Sequence, residues 1–160
     1  MTRSQMTLKE NTSTEDDVIE ISVTLPEDAR LPEYATYGAS GMDIYTPALI
    51  KMEPFERKLV WTGLRIAVPE GYEAQIRPRS GLALKKGLTL LNSPGTIDSD
   101  YRGEIGIIMI NFSQEKVILE KGERVAQMVI CPIIKVKLRP TKELDDTHRG
   151  EGGFGSTGKH

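Results

Sequence analysis

Near its start the chain alternates with a period of two: Ile19, Ile21, Val23 and Leu25 are separated by Glu20, Ser22 and Thr24. That pattern sends one side of an extended segment to a core and the other to water. The same strand reading covers 57–68 (RKLVWTGLRIAV), 72–78 (YEAQIRP), 104–112 (EIGIIMINF), 116–120 (KVILE) and 124–138 (RVAQMVICPIIKVKL). Pro26, Pro32, Pro47 and Pro54, with the runs PEG (69–71), SPG (93–95) and KG (121–122), supply the turns between them. Short strands at this spacing predict an antiparallel all-β sandwich or jelly roll, not alternating strand and helix units. Only SGLALKKG (80–87) has room for a helical turn or two, and no internal repeat is present.

A chain of 160 residues buries one good core, so a single domain is expected. The formal net charge of −2 argues against a general nucleic-acid binder, which needs a clear basic excess. Cys131 is the only cysteine, which excludes an intrachain disulfide and points to a reducing cytoplasm. In the apolar run VAQMVICPII it reads as a small hydrophobe rather than a reactive thiol. His148 and His160 are too few for a structural zinc site. No segment has the uninterrupted apolar length of a membrane span or a signal peptide. Residues 1–17 are polar and aperiodic and are read as a flexible leader; 18–148 form the expected β domain, and 149–160 a glycine-rich arm.

Several polar segments interrupt this β pattern. In RPRSGLA (77–83), Arg79, the Ser80 hydroxyl and the open backbone of Gly81 together suit phosphate oxygens, although taken alone a basic turn is more often just a solvated one. GTIDSDYRGE (95–104) is open to three readings on spacing alone. A carboxylate there could act as a general base on a water, the acids could belong to a calcium loop lacking the rest of an EF-hand ligand set, or the segment could be an acidic turn. A strand conformation would put Asp98 and Asp100 on one side. Asp43, between Met42 and Ile44, and Gln127, between apolar neighbours, read as buried polar groups that need partners, whether in a core hydrogen bond or in catalysis. The tail RGEGGFGSTGKH carries five glycines within ten residues, which are costly to order and by themselves read as a linker or a frayed end. Arg149, Phe154, Ser156 and Thr157 nevertheless add a cation, an aromatic face and two hydroxyls, so an arm that orders over a ligand explains both features.

In this order, ASGMDIYTP, RPRSGLALKKG, NSPGTIDSDYRGE, GERVAQM and RGEGGFGSTG resemble the five motifs of the trimeric all-β deoxyuridine triphosphate nucleotidohydrolases, the dUTPases, from residue 39 to residue 158. The resemblance implies a distorted jelly roll of β-clip type, assembled as a homotrimer whose active sites lie between subunits. It implies Mg²⁺-dependent hydrolysis of dUTP to dUMP and pyrophosphate by water attack on the α-phosphate, removing dUTP from the nucleotide pool and supplying dUMP for thymidylate synthesis.

By the same resemblance Asp98, Gln127 and Asp43 are the expected catalytic residues. Asp98 deprotonates the water, Gln127 stands near the α-phosphate, and Asp43 gives polar support. One subunit supplies a base-reading hairpin with Asn92, Gly95, Ile97, Asp98 and Tyr101, and Met109 joins the substrate-binding set. A second supplies Arg79, Ser80, Gly81 and Gln127, and a third its arm with Arg149, Phe154, Gly155, Ser156 and Thr157. Mg²⁺ is held mainly by the phosphates and waters, with no direct protein ligand. The related dCTP deaminases need a base-facing glutamate and do not combine GTIDSDYRG with a GFGSTG arm. A non-catalytic trimer that has kept only a pocket is opposed by the presence of Asp98, Arg79, Gln127, Arg149 and Phe154 together.

Overall fold

The computed structural model describes residues 18–154 and residue 156. In chain order the first strands are β1 (Ser22–Thr24), β2 (Glu33–Tyr34), β3 (Met42–Tyr45), β4 (Ile50–Met52), β5 (Arg57–Trp61), β6 (Arg65–Ala67) and β7 (Tyr72–Arg77). A two-turn helix, α1 (Ser80–Lys86), follows, then β8 (Leu88–Leu90), β9 (Gly95–Ile97), β10 (Gly106–Asn111), β11 (Val117–Leu119) and β12 (Arg124–Pro132). Every paired strand runs antiparallel to its neighbour. The largest sheet has the order β2-β3-β12-β7-β9; a three-stranded sheet runs β5-β10-β8, and β1-β6 and β11-β4 form two-stranded ribbons.

Alternation decides what each strand buries. Along β10 the pattern turns Ile107, Met109 and Asn111 inward, while Gly106, Ile108 and Ile110 stay half-buried on the other side. The core gathers Met52, Leu88, Ile105, Ile107, Met109, Leu119 and Val125, all essentially inaccessible. Asn111 lies among them without cost. Its amide donates to the carbonyls of Met52, Glu53 and Glu115, and its oxygen accepts from the Ser113 N–H and hydroxyl. Each group left unpaired there would cost about 1–3 kcal/mol.

Three sequence expectations are corrected. Residues 57–68 form two strands, because the chain folds around Ile105. The Thr62 N–H and hydroxyl both donate to the Ile105 carbonyl, the Ile105 N–H donates to the Leu64 carbonyl, and Gly63 between them stands at φ 75°. The strand read over 124–138 stops at Pro132, which has no N–H to continue a ladder, and Ile134, Val136 and Leu138 beyond it are exposed. Residues 92–106 are not a simple hairpin either. β9 pairs with β7 in the large sheet, whereas β10 pairs with β5 and β8 in another, so the intervening loop passes from sheet to sheet. The leader, residues 1–17, lies outside the described residues.

Candidate active site

The large sheet lays four polar residues from separate parts of the chain in one row. Glu33 pairs with Asp43, Asp43 with Gln127, and Gln127 with Arg77. Directly opposed residues project from the same face, so the ladder itself brings Asp43 and Gln127 together. The Gln127 amide donates to the Pro78 carbonyl at 3.0 Å, which ties β12 to the turn that carries Arg79. Gly41 lets that side chain approach: a Cβ there would stand 2.9 Å from Gln127 Oε1.

Asp43 is only 8% exposed and holds two arginines. Arg79 Nε is 3.0 Å from Oδ1, and Arg124 Nη1 donates to Oδ2 at 3.0 Å. Two guanidiniums at hydrogen-bond distance offset the cost of burying a carboxylate. Arg79 also donates through Nη1 to the Arg124 carbonyl at 3.2 Å. These side chains, with Gly81, Lys85 and Lys86, line a cavity of about 640 Å³. Ser80 is exposed at the first residue of α1, directly after Arg79. On the same wall the Tyr45 hydroxyl donates to Glu33 at 2.8 Å and Arg30 lies 4.0 Å over the Tyr45 ring. Burial, then the Glu33 hydrogen bond, raises the Tyr45 phenol above its usual range; the same hydrogen bond, then that of Arg30, holds Glu33 below its own.

A second cluster forms elsewhere. After β9 the chain turns at 98–101, closed by the Tyr101 N–H donating to the Asp98 carbonyl at 3.1 Å. Asp98 and Asp100 therefore lie on a turn and not on one face of a strand. Asp98, Ile97, Tyr101 and Trp61 line a cavity of about 270 Å³. Tyr101 folds back to donate to the Glu104 carbonyl at 3.0 Å, and its ring covers Gly103, where an added Cβ would stand 2.2 Å from the hydroxyl. Glu104 in turn accepts from the Gly63 N–H at 2.7 Å, fixing the loop to the β5–β6 corner. Ile105, wholly buried, and Ile97, packed against the core, anchor the segment from both ends. Asn92 is exposed, with its amide nitrogen beside buried Gly95.

The expected residues thus fall into two groups, and the two cavities share no lining residue. Asp43, Arg79 and Gly81 line one, with Gln127 paired to Asp43 in the sheet and Ser80 next to Arg79 in the chain; Ile97, Asp98 and Tyr101 line the other. Met109 belongs to neither. It is fully buried in β10, opposite Lys58 and Leu90, and so supports the core rather than facing a ligand. Of the arm, Arg149 donates to the Gly152 carbonyl at 2.7 Å and Phe154 is fully exposed; Gly155 and Thr157 lie outside the described residues. The sequence reading missed Trp61 and Arg124. Trp61 is the only tryptophan, in a run read simply as strand, and Arg124 lies inside GERVAQM.

Residues 27–158 match the family described as dUTPase. The chain belongs to the dUTPase family. The deoxyuridine 5'-triphosphate nucleotidohydrolase of Hydrogenobaculum sp. (strain Y04AAS1) is 65% identical over 135 residues, 84% of this chain and 94% of that protein. The Clostridium tetani enzyme of the same name is 55% identical over 84% of this chain and 93% of its own. Among solved dUTPases, a single-residue variant from Staphylococcus bacteriophage 80alpha, solved with dUpNHpp, superposes with a TM-score of 0.81 at 29% identity, covering 88% of this chain and 99% of that one. A variant dUTPase from phage phi11 of S. aureus, described with a structural Mg(II) ion, gives 0.73 at 26% identity over 80% of this chain and 100% of that one. The chain is thus an all-β fold with one short helix that superposes on these dUTPases over most of its length.

Proposed function

We propose that this chain hydrolyses dUTP to dUMP and pyrophosphate at sites built where copies of it meet in a homotrimer. The observation that carries this reading is the separation of the two half-sites: within a dUTPase-family chain, the carboxylate of Asp98 and the arginine of Arg79 line different cavities. A second copy that brings its Asp98 loop to the Arg79 cavity completes one site from two halves. Two further features favour such contacts. Leu59 and Trp61 are about half exposed on the outer side of the three-stranded sheet, beside half-buried Ile108 and Ile110. Beyond Pro132 the chain extends with exposed Ile134, Val136 and Leu138 towards Arg149 and Phe154, so the arm is presented away from its own core.

In the completed site a water oxygen bonds to the α-phosphorus while the bond from that phosphorus to its bridging β-phosphate oxygen breaks. Asp98 takes the proton of the water, and the electron pair leaves with pyrophosphate. Arg79 of the second copy and Arg149 of the third face the negative charge that moves to the leaving group. Gln127, held by Pro78, orients the water and the α-phosphate, and Asp43 keeps Arg79 in place. Asn92 and nearby backbone read the uracil edge, where a mismatched base leaves buried groups unpaired. Tyr101, locked on Gly103, packs under the sugar and leaves no room for a ribose hydroxyl. Phe154 covers the base, while Ser156 and Thr157 reach the terminal phosphate.

The described residues contain no cluster of three or more metal-ligating side chains, and Asp43 is occupied by two guanidiniums. On the family resemblance, Mg²⁺ is assigned to the substrate, carried on the triphosphate oxygens. Among the described residues no helix is long and apolar enough to cross a membrane, and Cys131 is a free thiol; we assign the enzyme to the cytoplasm.

The test is a product assay by ion chromatography with each deoxynucleoside triphosphate, with and without Mg²⁺. Pyrophosphate and dUMP from dUTP alone, lost on chelation of Mg²⁺, are expected. Ammonia released from dCTP would overturn the reading.

A further inference from the structure

Arg124 reaches Asp43 only because β12 is irregular. Gln127 pairs with Asp43 and Ala126 with Ile44, but Arg124, and not Val125, stands opposite Tyr45. In a regular ladder the residue three places before Gln127 would face the other side of the sheet. The extra residue at Val125 reverses this, sending the Val125 side chain into the core, 1% exposed, and returning Arg124 to the face of Asp43. A bulge re-aims a side chain at the cost of ladder regularity, and bulges gather beside functional sites for that reason. At the edge of the same bulge the Arg124 carbonyl accepts from Arg79 Nη1. Arg79 is therefore held from two directions by one irregularity: directly by that carbonyl, and through Asp43, whose second oxygen is occupied by the Arg124 guanidinium.

We infer that Arg124 is a positioning residue for phosphate binding, acting through Asp43 on Arg79 and aimed by the bulge at Val125. The inference rests on the proposed role of Arg79 at the phosphates. With its second partner removed, Asp43 is free to rotate and Arg79 loses its fixed fork geometry. A lysine at 124 keeps a charge for Asp43 but not the planar donor.

The experiment is a double-mutant cycle of R79Q and R124Q, with R124K beside it. It is read as kcat/KM for Mg²⁺·dUTP, as the inhibition constant of pyrophosphate, and as the affinity for deoxyuridine, which has no phosphate. R124Q is expected to lower kcat/KM and weaken pyrophosphate binding by about tenfold, with deoxyuridine affinity unchanged and R124K intermediate. The double variant should lie within about twofold of R79Q alone, because both changes remove one arrangement. Effects that multiply in the double variant, or an R124Q enzyme that binds pyrophosphate normally, would overturn the inference. Weakened deoxyuridine binding to the same degree would also overturn it, as a general structural defect. An R79Q enzyme with normal kcat/KM would instead sink the phosphate reading of Arg79, and the inference with it. If R124Q does not fold, the cycle is run with R124K under the same criteria.

Discussion

Asp43 and Asp98 are two carboxylates of one chain in opposite surroundings. Asp43 is buried between two guanidiniums, so its charge is committed to holding Arg79 and Arg124. Asp98 sits on an exposed turn beside Trp61 and Tyr101, with its side chain open to a ligand. A base is needed in the transition state more than in substrate binding. Asp98→Asn is therefore expected to abolish turnover while dUTP affinity stays within about tenfold of the parent, as measured by single-turnover kinetics and calorimetry. Near-normal turnover in that variant would remove Asp98 from the role of base. The neighbouring aromatic is fixed as firmly: Tyr101 lies on Gly103 so closely that no other residue fits there without moving the ring. The tight spacing of DYRG thus has a steric cause that the sequence alone does not reveal.

At the level of elements, the alternating runs were legible wherever one face is buried and the other wet, as in β7 and β11. Where burial is two-sided the period disappears: β3 buries Asp43, Ile44 and Tyr45 in succession. β2, with two residues, is too short to show one. The break at Thr62 depends on a hydroxyl meeting a carbonyl more than forty positions away, which no local pattern encodes. The bulge at Val125 is equally silent, because GERVAQM reads as an ordinary strand until its register against β3 is known. The arm is another matter. Its five glycines and its Arg, Phe and Ser are the grounds for expecting a closure there, and the last strand ends well before it, at Pro132. Removing residues 149–160 should leave the circular dichroism spectrum and melting temperature unchanged and lower kcat/KM by about 100-fold or more, since positioning and enclosure are lost while no core is touched. Full activity in the truncated enzyme would return the segment to the status of a linker.

At the scale of the whole molecule, the proposed reading makes each chain a supplier of half-sites rather than of whole sites. The row of Glu33, Asp43, Gln127 and Arg77 across the large sheet and the Asp98 loop between sheets are each rigidly supported, yet they open into separate cavities. Periodicity and composition in one chain carry no trace of such a division; the motif resemblance implies it, and the two separate cavities of the single chain are compatible with it. A symmetric closed assembly would give every copy the same two neighbours and complete every site alike. The most direct test mixes two inactive enzymes, D98N and R79Q, by co-expression or by joint refolding, and measures dUTP hydrolysis in trimers verified by native mass spectrometry. With Asp98 taken from one copy and Arg79 from another, roughly a quarter of the sites in an equal mixture carry both intact groups, and activity returns in that proportion. Mixed trimers as inactive as either parent, at every ratio, would contradict a site shared between chains.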